Sequence, residues 1–206
     1  MKILDGKPIP IFPLPSVVLF PQIVQPLHIF EPRYLSMVEE ALDSHGFISM
    51  ALLKPGYEDE YLGEPEVHPV VAVGNIITYQ TKDDGTYDIV LLGNKRARIV
   101  EEIGGKPYRR GVLVELKEKL PHSSAEKEDL RLGLEALLKL ATRDLENQNK
   151  GLFKLQESFS DESNVGFLVD FLAYHFIKDI EFQQTLLEEL DVALRARNLL
   201  DAITTP

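Results

Sequence analysis

The chain has 206 residues, 44% of them hydrophobic and none of them cysteine, with 22 basic and 33 acidic side chains and a formal net charge of -11. That length can bury about 70% of the surface its unfolded form exposes, enough for one large domain or two small ones. The charge works against non-specific binding to nucleic acid and anionic membrane, and the missing cysteines exclude disulfides, thiolate nucleophiles and cysteine-bound metals.

Asp5, Pro8, Pro10 and Pro13 interrupt what would have to be a signal core, and no run approaches the roughly 18 apolar residues of a membrane span. No membrane association is expected, and a cytoplasmic location is the default. From Pro10 to Tyr34 the sequence PIFPLPSVVLFPQIVQPLHIFEPRY threads prolines between short apolar runs. Proline fixes φ and carries no backbone donor, so helix is excluded and each run is a short extended segment. Pro32 then sits at a first helical position, and Tyr34, Leu35, Val38 and Leu42 follow at helical spacing. A strand, a turn, a second strand and a helix are predicted in the first 43 residues.

Phe47–Leu53 reads as a buried strand, stopped by Lys54-Pro55-Gly56. The acidic stretch after it, GYEDEYLGEPEVHP, has no period and is predicted to be an exposed connection of unusual length. Val70–Tyr79 and Tyr87–Gly93 flank Asp84-Gly85, a strong hairpin signal, and the return strand continues through Val100. Gly111–Leu116 is one more strand. After Leu120 the period becomes helical: Ser123 with Glu126 forms a capping box, and Leu130, Leu134, Leu137, Leu138 and Ala141 share a face. A second helix is predicted over 165–177. A third begins after Asp179, with Phe182, Leu186, Leu187, Leu190, Leu194 and Leu199 on one stripe.

FPLPSVVLFP followed by PLHIFEPRY resembles the opening of the N-terminal substrate-recognition domain of Lon proteases; the Lon-like domain of cereblon is similar. The hairpin, with its glycines and Arg96-Ala97-Arg98-Ile99, the Pro107-Tyr108 pair, and the segments NVGFLVDFLAYHF and QQTLLEELDVALRARNLLDAI extend the resemblance over nearly the whole chain. It implies an α+β fold. A PUA-like β-rich pseudo-barrel, residues 1–120, would be followed by a helical bundle, residues 121–206, together one domain docked as a rigid unit.

Catalytic constellations are absent from the sequence. There is no GxxxxGK[ST] phosphate loop and no GxSxG elbow, and His28, His45, His68, His122 and His175 form no HxxxH or HExxH pair. No catalytic residue, metal ligand or cofactor is assigned, and the chain is not expected to be an enzyme. What the resemblance implies is binding of unfolded or degron-bearing polypeptides, by a free-standing recognition module or by an adaptor engaging a Lon-type protease. Tyr57, Tyr61 and Leu62, bulky groups in an aperiodic acidic loop, are the candidate contact surface. The alternative is RNA binding: Lys95, Arg96, Arg98, Lys106, Arg109 and Arg110 surround one hairpin, and the PUA-like fold takes its name from an RNA-binding module. The competing expectation is that these cations are solvated strand faces paired with Glu101, Glu102, Glu115 and Glu118.

Overall fold

A computed structural model describes residues 6–60, 63–148 and 164–204. Six strands form one sheet: β1 (Ile9–Leu14), β2 (Val24–Ile29), β3 (Phe47–Leu52), β4 (Val70–Thr81), β5 (Tyr87–Glu102) and β6 (Arg110–Glu115). Their order is β2-β5-β4-β3-β1-β6, and β6 also pairs with β5, so five of the strands close on themselves and β2 joins at β5. Consecutive apolar runs at the N-terminus do not form a hairpin. β1 instead runs parallel to β3, with Ile11 opposite Ser49, and antiparallel to β6, with Ile9 opposite Gly111. The barrel interior is filled by Ile9, Ile11, Ala51, Val71, Val73, Ala97 and Leu113, the small alanines leaving room for the branched side chains beside them.

Helix α1 (Pro32–Leu42) starts where proline sets φ, and buries Tyr34, Met37, Val38 and Ala41 at helical spacing. The segment Val18-Leu19-Phe20 is buried without being a strand. It crosses the sheet at two glycines: a Cβ at Gly93 would stand 2.0 Å from the Phe20 carbonyl oxygen, and one at Gly74 would stand 3.0 Å from Leu19 Cδ2. Only a residue without a Cβ permits that approach. The β4–β5 ladder carries irregularities at Val73/Gly74 and Ile76/Thr78, which bend the long hairpin that continues to its turn at Gly85, with φ of 81°.

The predicted loop after β3 is more ordered than its composition suggests. Tyr57–Glu60 form a 3₁₀ turn. Beyond the undescribed residues the chain is tied back to β3: Leu53 bridges Val67, and Lys54 N–H donates to the Glu66 carbonyl at 2.9 Å.

The helices after the barrel are α2 (Ser124–Gln148), α3 (Val165–Phe176), α4 (Ile180–Glu188) and α5 (Val192–Thr204). Ser123 Oγ accepts from Glu126 N–H at 3.1 Å and Glu126 reaches back to His122 N–H, giving the expected capping pair. The single helix expected after Asp179 is two. Asp179 caps the first, and Asp191 Oδ1 accepts from the amides of Ala193 and Leu194 to start the second. Between them Leu190 and Val192 exchange backbone bonds with Lys119, so tertiary pairing overrides a continuous apolar stripe.

By contact density the chain divides into two compact units. One comprises the chain up to Pro21 with Gln25–Leu116; the other comprises Gln22–Val24 with the chain from Lys117 onward.

Candidate functional site

The β4–β5 hairpin and β2 build a shallow groove of about 420 Å³ in the first unit. Strand alternation decides which side chains face it. His28 and Asp88 meet across β2 and β5 at 2.8 Å, so they share a face, and with them go Pro26, Phe30 and Val90 by the period of two, and Gln80 and Thr78 by their pairing with Asp88 and Val90. Leu27, Ile29 and Ile89 point to the other face, where Ile29 and Ile89 are buried. Phe30 stacks on His28, centroids 5.9 Å apart, and is nevertheless 62% exposed. Tyr79 and Tyr87 lie on the opposite face of the hairpin with rings 6.3 Å apart, Tyr79 being 53% exposed. Exposed rings held on a strand, as Tyr79 is, or at its end, as Phe30 is, offer large apolar area at small ordering cost.

The electrostatics of this region are acidic. Asp88 is shared by Lys82, at 2.6 Å, and His28, and these two bonds hold its carboxyl below the usual range. At the turn, Thr86 donates to Asp84 from both its hydroxyl and its amide, and holds Asp84 down as well. Asp83 and Asp84 are exposed. Asp83, Asp84 and Asp88 thus stand against the one cation Lys82.

A second concavity, of about 250 Å³, is lined by Pro13, Arg33, Tyr34, Lys106, Tyr108 and Arg109 among others. Its cations are engaged within the fold. Arg109 grips Glu102 with two bonds, of 2.8 and 2.6 Å, and gives a third to the Pro65 carbonyl. Lys106 pairs with Glu40 at 2.7 Å, and Arg33 bonds Glu31 while lying over the Tyr34 ring. Burial, with the Glu40 carboxylate adding to it, pushes the Tyr108 phenol well above its ordinary range. In the second unit, a cavity of about 450 Å³ opens beside Ser123 and Asn164, but those side chains are engaged in capping α2 and α3.

The alternative basic patch dissolves in three dimensions. Arg96 is buried at 2% exposure inside the barrel unit, its guanidinium 6.0 Å from the Phe20 ring centroid. Lys95 pairs with Glu115 at 2.6 Å, Lys106 with Glu40 and Arg109 with Glu102; Arg110 donates to the Gly104 carbonyl. Arg98 is exposed. With Lys95, Lys106 and Arg109 ion-paired and Arg96 buried, these residues do not form the open stripe that tracks a phosphate backbone, and the RNA-binding alternative is withdrawn. Of the loop residues, Tyr57 lies on the 3₁₀ turn and is half-buried, whereas Tyr61 and Leu62 fall outside the described residues. In the sequence Phe30 stands out only as a member of the PLHIFEPRY motif. The alternation Pro26, His28, Phe30 against Leu27, Ile29 was the signal that could have found it.

A small closed barrel and a helical unit define an α+β fold. The model of the ATP-dependent protease La (LON) substrate-binding domain matches residues 8–205, and the chain belongs to that family. It is 25% identical over 204 residues to the Lon protease of Dictyoglomus thermophilum, covering 95% of this chain and 24% of that protein. It is 28% identical over 194 residues to Lon protease 1 of Syntrophobacter fumaroxidans, covering 94% and 23%. The chain thus spans about a quarter of the length of these relatives. Its fold is that of the N-terminal domain of Mycobacterium avium complex Lon protease, with TM-score 0.71, 17% identity and coverage of 97% of this chain and 99% of that one. The Lon N-terminal domain protein from Xanthomonas campestris gives 0.66 at 20% identity, with the same coverage. Among the described residues no helix is long and apolar enough to cross a membrane.

Proposed function

We propose that this chain is a non-catalytic module that recognises unfolded or degron-bearing polypeptides in the cytoplasm, serving a Lon-type protease as substrate-recognition factor or adaptor. One observation carries the reading: in a family defined by substrate binding, this chain holds Phe30 exposed at the end of β2, beside an open groove. A ring that is buried only by a partner is the usual anchor of a polypeptide interface. The chain itself hydrolyses neither ATP nor peptide bonds, since its sequence has no phosphate loop and no recognised nucleophile–base grouping.

The test is titration of a reduced, denatured model protein against wild type, Phe30→Ala, Tyr79→Ala and the double variant. Anchors of this kind cost more than about 1 kcal/mol each when a partner buries them, so Phe30→Ala weakens binding by about fivefold or more. Tyr79→Ala reports whether the opposite face of the hairpin takes part. Tyr57→Ala/Tyr61→Ala examines the loop before Pro69 as a further contact. Absence of binding to wild type defeats the function proposed; equal affinity of wild type and Phe30→Ala removes the groove from it.

A further inference from the structure

We infer that the groove selects extended polypeptide segments in which an aromatic or aliphatic side chain is flanked by lysine or arginine. The inference rests on the polypeptide-binding reading above and adds the chemistry of the client. Phe30 and Val90 offer the apolar contact: Phe30 is exposed, Val90 is half-buried, and both belong to the face that carries His28. Two residues before Val90 on β5, and on towards the turn, the surface becomes anionic. Asp88 lies in the groove itself, and Asp83 and Asp84 stand at the turn, exposed, with Lys82 the single cation between them and already drawn to Asp88 at 2.6 Å.

The occupant follows from charge complementarity. An apolar segment flanked by carboxylates meets the exposed Asp83 and Asp84 and a chain of net charge -11, whereas one flanked by cations gains attraction at the turn and lays its charge near the Phe30 ring. A nucleic acid is repelled by the same groups. The second concavity, by contrast, has each of its cations bound to a carboxylate, so it offers no comparable preference.

Two synthetic peptides with one apolar centre, flanked by lysines in the first and glutamates in the second, provide the probe. Fluorescence anisotropy at low salt should show the lysine form binding about tenfold more tightly, and added salt should erase most of the gap, because exposed charges are screened. Asp83→Lys/Asp84→Lys should reverse the preference, while Phe30→Ala should weaken both peptides by a similar factor. Equal, salt-insensitive binding of the two peptides overturns the charge selection and leaves polypeptide binding standing. A preference that survives Asp83→Lys/Asp84→Lys places the selection elsewhere on the acidic chain and overturns this assignment. Failure of both peptides and of the denatured protein to bind overturns the function and the inference together.

Discussion

The two units solve the same problem, closing an interior around polar groups, by different means. The barrel unit uses backbone: strands complete one another's hydrogen bonds around the circle, and Val18-Leu19-Phe20 is laid over positions where Gly93 and Gly74 bring no Cβ. Its buried Arg96 lies near an aromatic ring. The helical unit uses side chains. Arg195 is wholly buried, with Nη1 donating to the Glu189 carbonyl at 2.7 Å, Nη2 paired with Glu118 and Nε 3.2 Å from the buried Asp170. An interior sealed by close approach tolerates no added volume, and one sealed by charges tolerates no missing partner. In the first unit Phe30 is left exposed beside the hairpin, and the proposed binding surface is centred on it.

The comparison breaks most visibly at Gly93. Gly93→Val puts a branched side chain where even a Cβ meets the Phe20 carbonyl at 2.0 Å, so either β5 or the crossing segment must move. A loss of at least about 3 kcal/mol is expected, read from the urea midpoint, and loss of soluble protein is the extreme of the same effect. A change under about 1 kcal/mol would mean that backbone approach does not seal the barrel.

In the helical unit Arg195→Met keeps volume and removes charge. Asp170 is then buried with its cation gone, which costs about 3–5 kcal/mol. Arg195→Met/Asp170→Leu should recover much of that loss, because two apolar residues do not need each other's charge. Equal destabilisation of the single and double variants would show that packing, not pairing, closes this unit.

A smaller effect comes from His175, in the last turn of α3, whose ring lies 4.4 Å from that of Phe171 and 4.8 Å from that of Tyr174. Burial lowers its pKa to about 4. The folded state therefore binds this proton less readily than the unfolded chain does, near its ordinary 6.5. The contribution is fully present above that value and is lost as pH falls from about 6.5 to about 4, an order of 2 kcal/mol after allowing for partial exposure. His175→Phe should flatten stability across that window. Loss below it belongs to carboxylates held low in the fold, such as Asp191, lowered first by its bond to Lys119, and should persist in the variant.

How far the sequence foretold this division can be traced to particular residues. Strand periodicity, Asp84-Gly85, Pro32 and the Ser123–Glu126 pair are local signals, and each marks an element the structure contains. Closure of the barrel is not local. β1 pairs with β3 and β6 across long stretches of chain, and nothing in the apolar runs states that register. The same distance hid the fate of the cations: Lys106 finds Glu40 and Arg109 finds the Pro65 carbonyl, partners that a reading of neighbours along one hairpin does not reach. The break between α4 and α5 was hidden because Leu190 continues the helical stripe while its carbonyl is claimed by Lys119.

The smallest expected effect is the one that bears most on function. If neither Phe30 beside the groove nor Tyr79 on the opposite face of the hairpin has a structural duty, Phe30→Ala and Tyr79→Ala, which remove side chains 62% and 53% exposed, should leave the urea midpoint within about 0.5 kcal/mol of wild type. Some loss is physically unavoidable, since Phe30 covers part of His28 and Tyr79 part of Tyr87, and ring pairs of this kind contribute about 0.5–1.5 kcal/mol when well buried and less where water reaches them. The informative quantity is the ratio between the change in polypeptide affinity and the change in stability measured on the same protein. A groove built for a partner gives a large ratio, because the partner supplies the burial that the fold withholds. If instead Phe30→Ala costs as much stability as a core truncation, about 3 kcal/mol or more, then the ring is part of the barrel's packing and any accompanying loss of binding is a consequence of unfolding. The contrast between an inward-sealed interior and a free outward face would then fail at its central residue.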